Sequence, residues 1–335
     1  MLRRIIWLSA AALLLAAPAL AGNPPAIEWQ RTFGEPDTWL DDALLLPTGD
    51  CVVSGEISHP PDTLHPRPFL AKLSPTGQTQ WLHTYAHAGM TESASWICQS
   101  ASGGYFFLAG GGNTTLTFVV VHTDSLGDTL WTYVNEASFP HWTGAGLCPT
   151  SDGGCVVSGF GVDDTMFLLR LSSTGSHVWI RKYVEGEYRD WTAARLPIRQ
   201  TADGGFIIGS RLLRKTNALG QQVWAKSYGQ VDAVFDVVQT PDGSYAATGV
   251  GSSIGARTEK DMYQLALLRV SAQGTQQWLR LRSLTKHGSQ GLSIACTSDG
   301  GYIVGGGRWY WDHDPLRCPR DCVLVHVRAQ RLLLG

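Results

Sequence analysis

A two-part motif that recurs at a near-constant period constrains this chain more than any other feature. Five times, three residues separate a Gly from a following Trp: Gly77/Trp81, Gly127/Trp131, Gly175/Trp179, Gly220/Trp224 and Gly274/Trp278. Trp29 precedes them without its Gly, and successive Trp are 52, 50, 48, 45 and 54 residues apart. Between them stands a second signature, Asp-Gly-Gly leading into a β-branched or aromatic run that closes on Gly, at 151–159, 202–209 and 298–305. Variants of it occupy 48–55, 102–110 and 241–249, which makes six units. A repeat of this length is one supersecondary unit that buries its apolar faces only against its neighbours.

Each unit reads as four short strands. An apolar stretch such as Asp236-Val-Val-Gln-Thr runs into Asp-Gly, a strong hairpin signal. A return strand ends at Gly and a variable loop follows. An alternating strand such as Phe167-Leu-Leu-Arg-Leu-Ser then meets a Gly turn, and the last strand carries the Trp. No sustained helical period occurs beyond the first residues. Four antiparallel strands per 45–54 residues predict an all-β fold, a β-propeller of six four-stranded blades. A sandwich needs no regular repeat, and solenoid repeats are shorter. The sixth unit lacks a Gly-x-x-x-Trp strand, while Ile27-Glu-Trp-Gln-Arg-Thr-Phe is a Trp strand without a blade. The N-terminal strand is therefore expected to complete the last blade and remove an open sheet edge.

The combination Asp-Gly-Gly-Tyr-Ile-Val-x-Gly with Gly-x-x-x-Trp resembles the exported bacterial propeller-repeat proteins, many of which carry a type IX secretion sorting domain. The resemblance covers residues 27–328 and implies the fold and an exported, surface or secreted protein. A weaker similarity is to pyrroloquinoline-quinone propeller repeats, whose Gly-x-x-x-Trp motif docks adjacent blades. It implies packing only, since the sequence shows no vicinal Cys pair or cofactor cage, and no cofactor is expected.

The opening residues predict a signal peptide over 1–21. Arg3 and Arg4 precede an apolar run from Ile5 to Leu15, and Ala19-Leu20-Ala21 fits a signal peptidase site. The run is shorter than the ~20 residues that span a bilayer. Residues 22–335 are then a single propeller domain, secreted, periplasmic or on the cell surface, and monomeric. With 26 Lys+Arg against 28 Asp+Glu, the net charge of −2 disfavours nucleic acid as a partner. Seven Cys follow the signal peptide, an odd number in an oxidising compartment. Cys318 and Cys322 are close enough for a small disulfide loop. Cys51, Cys98, Cys148, Cys155 and Cys296 fall in strand patterns and read as buried small thiols.

Residues outside the repeat consensus are the functional candidates. Loops between units carry Trp39, His141 with Trp142, and Asp190 with Trp191. Connections between second and third strands carry His59, Asp62 and His65, then Asp163 and Asp164, then Trp309-Tyr310-Trp311-Asp312-His313-Asp314. Aromatic faces beside carboxylates and imidazoles suit a glycan or a protein partner. The expectation is a non-catalytic scaffold that binds through this loop-rich face, with no catalytic residue and no metal assigned. The alternative is a glycan-active hydrolase or lyase with carboxylates such as Asp41, Asp190 and Asp312 in a central funnel.

Overall fold

The computed structural model describes residues 29–30, 38–59, 62–85, 94–110, 118–135, 143–161, 165–184, 196–253, 263–284, 288–308 and 322–327. Among these there is no helix, and the strands form six antiparallel sheets in chain order. The first holds β1 (Trp39–Leu45), β2 (Cys51–His59), β3 (Asp62–Leu73) and β4 (Thr79–Thr84). The second holds β5 (Ala94–Gln99), β6 (Tyr105–Gly110), β7 (Phe118–Thr123) and β8 (Thr129–Val134). The third holds β9 (Thr143–Pro149), β10 (Cys155–Phe160), β11 (Thr165–Leu171) and β12 (His177–Val184). The fourth holds β13 (Ile198–Gln200), β14 (Phe206–Gly209), β15 (Leu213–Thr216) and β16 (Gln222–Lys226). The fifth holds β17 (Val231–Gln239), β18 (Tyr245–Gly251), β19 (Gln264–Val270) and β20 (Gln276–Arg282). The sixth has three described strands, β21 (Ser289–Cys296), β22 (Tyr302–Arg308) and β23 (Cys322–Val327). Contacts divide the chain into two units, Met1–Val156 with Arg170–Val178 and Val157–Leu169 with Trp179–Gly335.

The four-strand reading of each repeat therefore holds for five of the sheets. One element differs from expectation. His59, Asp62 and His65 were expected in a loop, but β2 runs to His59 and β3 starts at Asp62, with His59 paired to Asp62. The pairing of β2 and β3 therefore continues past the pairing of β1 with β2, which starts at Trp39 and Glu56.

The central strands of the first five sheets are buried on both faces, and this explains their unbroken apolar runs. Tyr105 to Ala109 are all buried. Tyr105, Phe107 and Ala109 pack with Leu46, Val52, Leu70 and Tyr85 of the first sheet. In the second unit, Ile207, Leu213 and Tyr228 pack with Val234, Val237, Tyr245 and Ala247. The opposite face of the fifth sheet, with Ala246, Leu265 and Leu267, meets Ile294, Tyr302 and Val304.

The two sequence signatures have separate jobs. In Thr150-Ser-Asp-Gly-Gly, the Gly153 amide donates to the Thr150 carbonyl at 3.0 Å, and Gly153 turns at φ 85°. That left-handed conformation is costly for any residue with a Cβ. A Cβ on the next residue, Gly154, would collide with the Leu171 carbonyl of the third strand. The Asp of this turn reaches a cation on that strand: Asp152 pairs with Arg170, and Asp203 pairs with Lys215 at 2.9 Å. Both cations are buried. Burial pushes the Asp203 carboxyl up, but the Thr201 hydroxyl, the Lys215 ammonium and the Gly205 amide outweigh it and hold the pKa at about 2.

The Gly-x-x-x-Trp element joins successive sheets. Each Trp lies against the Gly of the following repeat, where a Cβ would meet the ring: Trp81 on Gly127, Trp131 on Gly175, Trp179 on Gly220 and Trp224 on Gly274. Trp131 Nε1 donates to Ser173 O at 2.8 Å, and Trp224 Nε1 to Ala272 O at 3.0 Å. Four residues after the Trp, a Tyr hydroxyl closes the same seam. Tyr85 donates to Gly127 O and Tyr228 to Gly274 O, both at 2.8 Å, and Tyr183 donates to Gly220 O. Trp29 repeats this geometry on the first sheet, with its ring over Gly77 and Nε1 2.8 Å from Pro75 O.

A second inter-sheet clamp has no sequence signature. Asp236 follows a bulge in β17, and its Oδ2 accepts from the Ile294 amide of β21 at 2.9 Å. Asp42 follows a bulge in β1 and accepts from the Ile97 amide of β5 at 3.1 Å. A bulge re-aims a side chain that a regular pleat would point elsewhere.

Among the described residues, Cys51, Cys98, Cys148, Cys155 and Cys296 are in no disulfide. Cys148 and Cys155 are buried as expected, and Cys51 and Cys98 are half-buried. Cys296 corrects the expectation: it is exposed at the end of β21. Cys318 and the Cys322 side chain lie outside the described residues.

Candidate functional site

Strand pairing places the start of each first strand beside the end of the second. Trp39 pairs with Glu56, Val231 with Gly251, and Ser289 with Arg308. The connections named as functional candidates leave their sheets from this end. The hairpin turns and Trp–Gly seams occupy the other end, so packing demands fall there.

Of the aromatic candidates, Trp39 is described. It opens β1 and is 48% exposed, whereas every other described Trp is at least partly buried. His141, Trp142, Asp190, Trp191, Trp309, Tyr310, Trp311 and Asp312 lie outside the described residues. Trp142 immediately precedes β9 in the chain, and Trp309 immediately follows β22.

The same end of the fourth and fifth sheets carries polar groups that the sequence reading passed over. Asp232 is the extra residue of a bulge between Val231 and Ala233 in β17. Ser252 Oγ donates to Asp232 Oδ1 at 3.3 Å, and the Ser252 amide donates to Gln230 O at 3.0 Å. Next along, Ser253 Oγ donates to Oε1 of the buried Gln264 at 3.2 Å. Desolvation raises the Asp232 carboxyl above its ordinary value, while the Ser252 hydroxyl and the Arg211 cation pull it back. Arg211 comes from the connection between β14 and β15, so two sheets contribute. Hydroxyl, carboxylate, carboxamide and guanidinium groups together offer both donors and acceptors to a polar ligand. In the sequence, Gln-Val-Asp and Gly-Ser-Ser look like ordinary turn composition. Only the strand register brings them together.

Among the described residues, no group of three or more His, Cys, Asp or Glu is placed to hold a metal ion. No described helix is long and apolar enough to cross a membrane.

No protein-family model matches the chain, and no curated protein matches it in sequence. Solved structures do match. A catalytically inactive virginiamycin B lyase from Staphylococcus aureus with quinupristin is similar at TM-score 0.54 and 10% identity, over 90% of this chain and 87% of that one. A streptogramin B lyase is similar at TM-score 0.50 and 14% identity, over 81% of this chain and 77% of that one. At such identity the likeness is one of fold and carries no activity across. Taken with the repeated four-stranded antiparallel sheets, it identifies the chain as a β-propeller-like repeat protein.

Proposed function

We propose that this chain is an exported, non-catalytic propeller that binds a glycan or protein partner through the end of the sheets where their first strands begin. The exposure of Trp39 carries the reading, because the repeat's other described tryptophans are spent on packing. An exposed aromatic suits the apolar face of a sugar ring or an apolar side chain of a protein partner. Trp142, Trp191 and Trp309 to Asp312 lie outside the described residues and join the proposal because they, like Trp39, stand outside the repeat consensus. Truncating Trp142 and Trp191 to Ala is expected to leave the unfolding midpoint nearly unchanged and to weaken binding by roughly 1–3 kcal/mol each, as for aromatic anchors. A glycan array and a protein-partner screen with the mature chain give the ligand, and titration of the variants gives the loss. Unfolding of both variants would assign these residues to the core instead. Cleavage of the bound glycan by the wild-type chain would favour the hydrolase or lyase reading.

The six repeats are proposed as six blades, with the segment around Trp29 as the outer strand of the last. Trp29 supports this by treating Gly77 as the other seam tryptophans treat the Gly of the repeat that follows them. A chain beginning at Gly34 loses this seam residue and leaves a strand edge open. It is expected to melt earlier or aggregate in thermal denaturation. Behaviour equal to the mature chain would remove strand sharing.

A further inference from the structure

The second sheet departs from four of the other sheets at one buried position. In four sheets, the third strand carries Lys or Arg that pairs with the Asp of the hairpin or its neighbour: Lys72–Asp50, Arg170–Asp152, Lys215–Asp203 and Arg269–Asp242. In the second sheet both members change together. Ser102 stands where Thr-x-Asp-Gly-Gly has its Asp. His122 stands opposite Trp131, as Lys72 stands opposite Trp81 and Lys215 opposite Trp224.

His122 is 4% exposed. Its ring stacks on Phe106 with centroids 4.1 Å apart and planes at 23°, and lies 5.3 Å from the Trp131 ring. Neither Nδ1 nor Nε2 has a hydrogen-bond partner. The surrounding elements offer titratable groups, but none bonds the imidazole. On β6 there is Tyr105, on β8 Tyr133, and in the β7–β8 turn Asp124 and Asp128. Asp124 accepts from the amides of Leu126 and Asp128. In the flanking sheets, Asp50 is paired with Lys72 and Asp152 with Arg170, and His83 lies against Trp81.

We propose that His122 makes the second sheet acid-sensitive: the neutral ring completes the Phe106–His122–Trp131 stack, and a proton on it introduces a buried charge without the counter-ion that the four paired sheets supply. An unpaired charge in a packed interior is disfavoured. Desolvation lowers the pKa of His122 below the ordinary value of 6.5. The unfolded chain therefore takes up the proton first. The stabilisation is fully present above about pH 6.5 and is lost as pH falls below it, by up to about tenfold in the folded-to-unfolded ratio per pH unit.

The experiment is urea unfolding of the full chain, followed by Trp fluorescence at pH 7.5, 6.5, 5.5 and 5.0, on wild type, His122→Phe and Ser102→Asp/His122→Lys. Phe keeps the stack without a titrating group, and the double variant copies the ion pair of the other sheets. Between pH 6.5 and 5.5, the wild type should lose up to roughly fivefold more of its folded-to-unfolded ratio than either variant. Equal pH dependence in all three would overturn the proposal. Should neither variant fold, proton NMR titration of the wild-type His122 ring decides. Titration below pH 6.5 supports the proposal, and titration at or above 6.5 overturns it.

Discussion

Trp131→Ala and Gly175→Ala should each destabilise the protein strongly, and the double variant should cost less than their sum. Trp131 gives up ring contact with the Gly175 turn and the bond from Nε1 to Ser173 O. Removing a large aromatic from a packed site costs about 3 kcal/mol or more. Gly175 turns at φ 79°, and a Cβ there would lie 2.7 Å from the Trp131 ring. The left-handed backbone costs an Ala roughly 1–2 kcal/mol, and the clash roughly another 1 kcal/mol or more. The clash disappears once the ring is gone, so the pair should show a coupling of about 1 kcal/mol in a double-mutant cycle of urea unfolding. Strict additivity would mean that ring and glycine do not meet. The same cycle on Trp224 and Gly274, at φ 74°, should give a coupling of the same sign.

These seams were legible in the sequence because they recur. The Gly-to-Trp interval and the Asp-Gly-Gly turn are local, and their period identifies four strands per repeat before any contact is known. The cations of the third strands were harder to read. Arg170 in Phe167-Leu-Leu-Arg-Leu looks like the outward residue of a half-buried strand, yet it is buried because β11 is covered on both faces. Its carboxylate partner lies across the hairpin, a relation that register reveals and spacing along the chain does not. The candidate site was less legible still. Trp39 stood out as an aromatic with no place in the repeat consensus. Asp232, Arg211 and Ser252 did not, because a bulge in β17 and the meeting of two sheets put them together. Loops are free of the packing constraint that makes a repeat repeat, so their residues carry no period to read.

The Asp236 clamp is the clearest case of a residue whose role depends on register, and it yields the second large effect. Asp236→Ala should cost about 3 kcal/mol of stability, while Arg199→Met should cost less than about 1 kcal/mol. Asp236 Oδ2 accepts from the buried Ile294 amide at 2.9 Å and from Ser293 Oγ at 3.4 Å. Its Oδ1 accepts from the Val237 amide at 2.9 Å and from Arg199 Nη2 at 3.1 Å. Three sheets of the second unit thus share one carboxylate. Ala would leave two backbone N–H groups without an acceptor, each costing roughly 1–3 kcal/mol when buried. Arg199 is 43% exposed, so water replaces its bond at little cost. Asp236→Asn keeps one accepting oxygen and should fall between the two. Urea midpoints of the three variants test the order. Equal losses for Asp236→Ala and Arg199→Met would make the clamp a surface ion pair. Amide hydrogen exchange then locates the damage. Ile294 N–H should lose protection in the Ala variant and keep it in Arg199→Met, because the carboxylate is that amide's acceptor in β17.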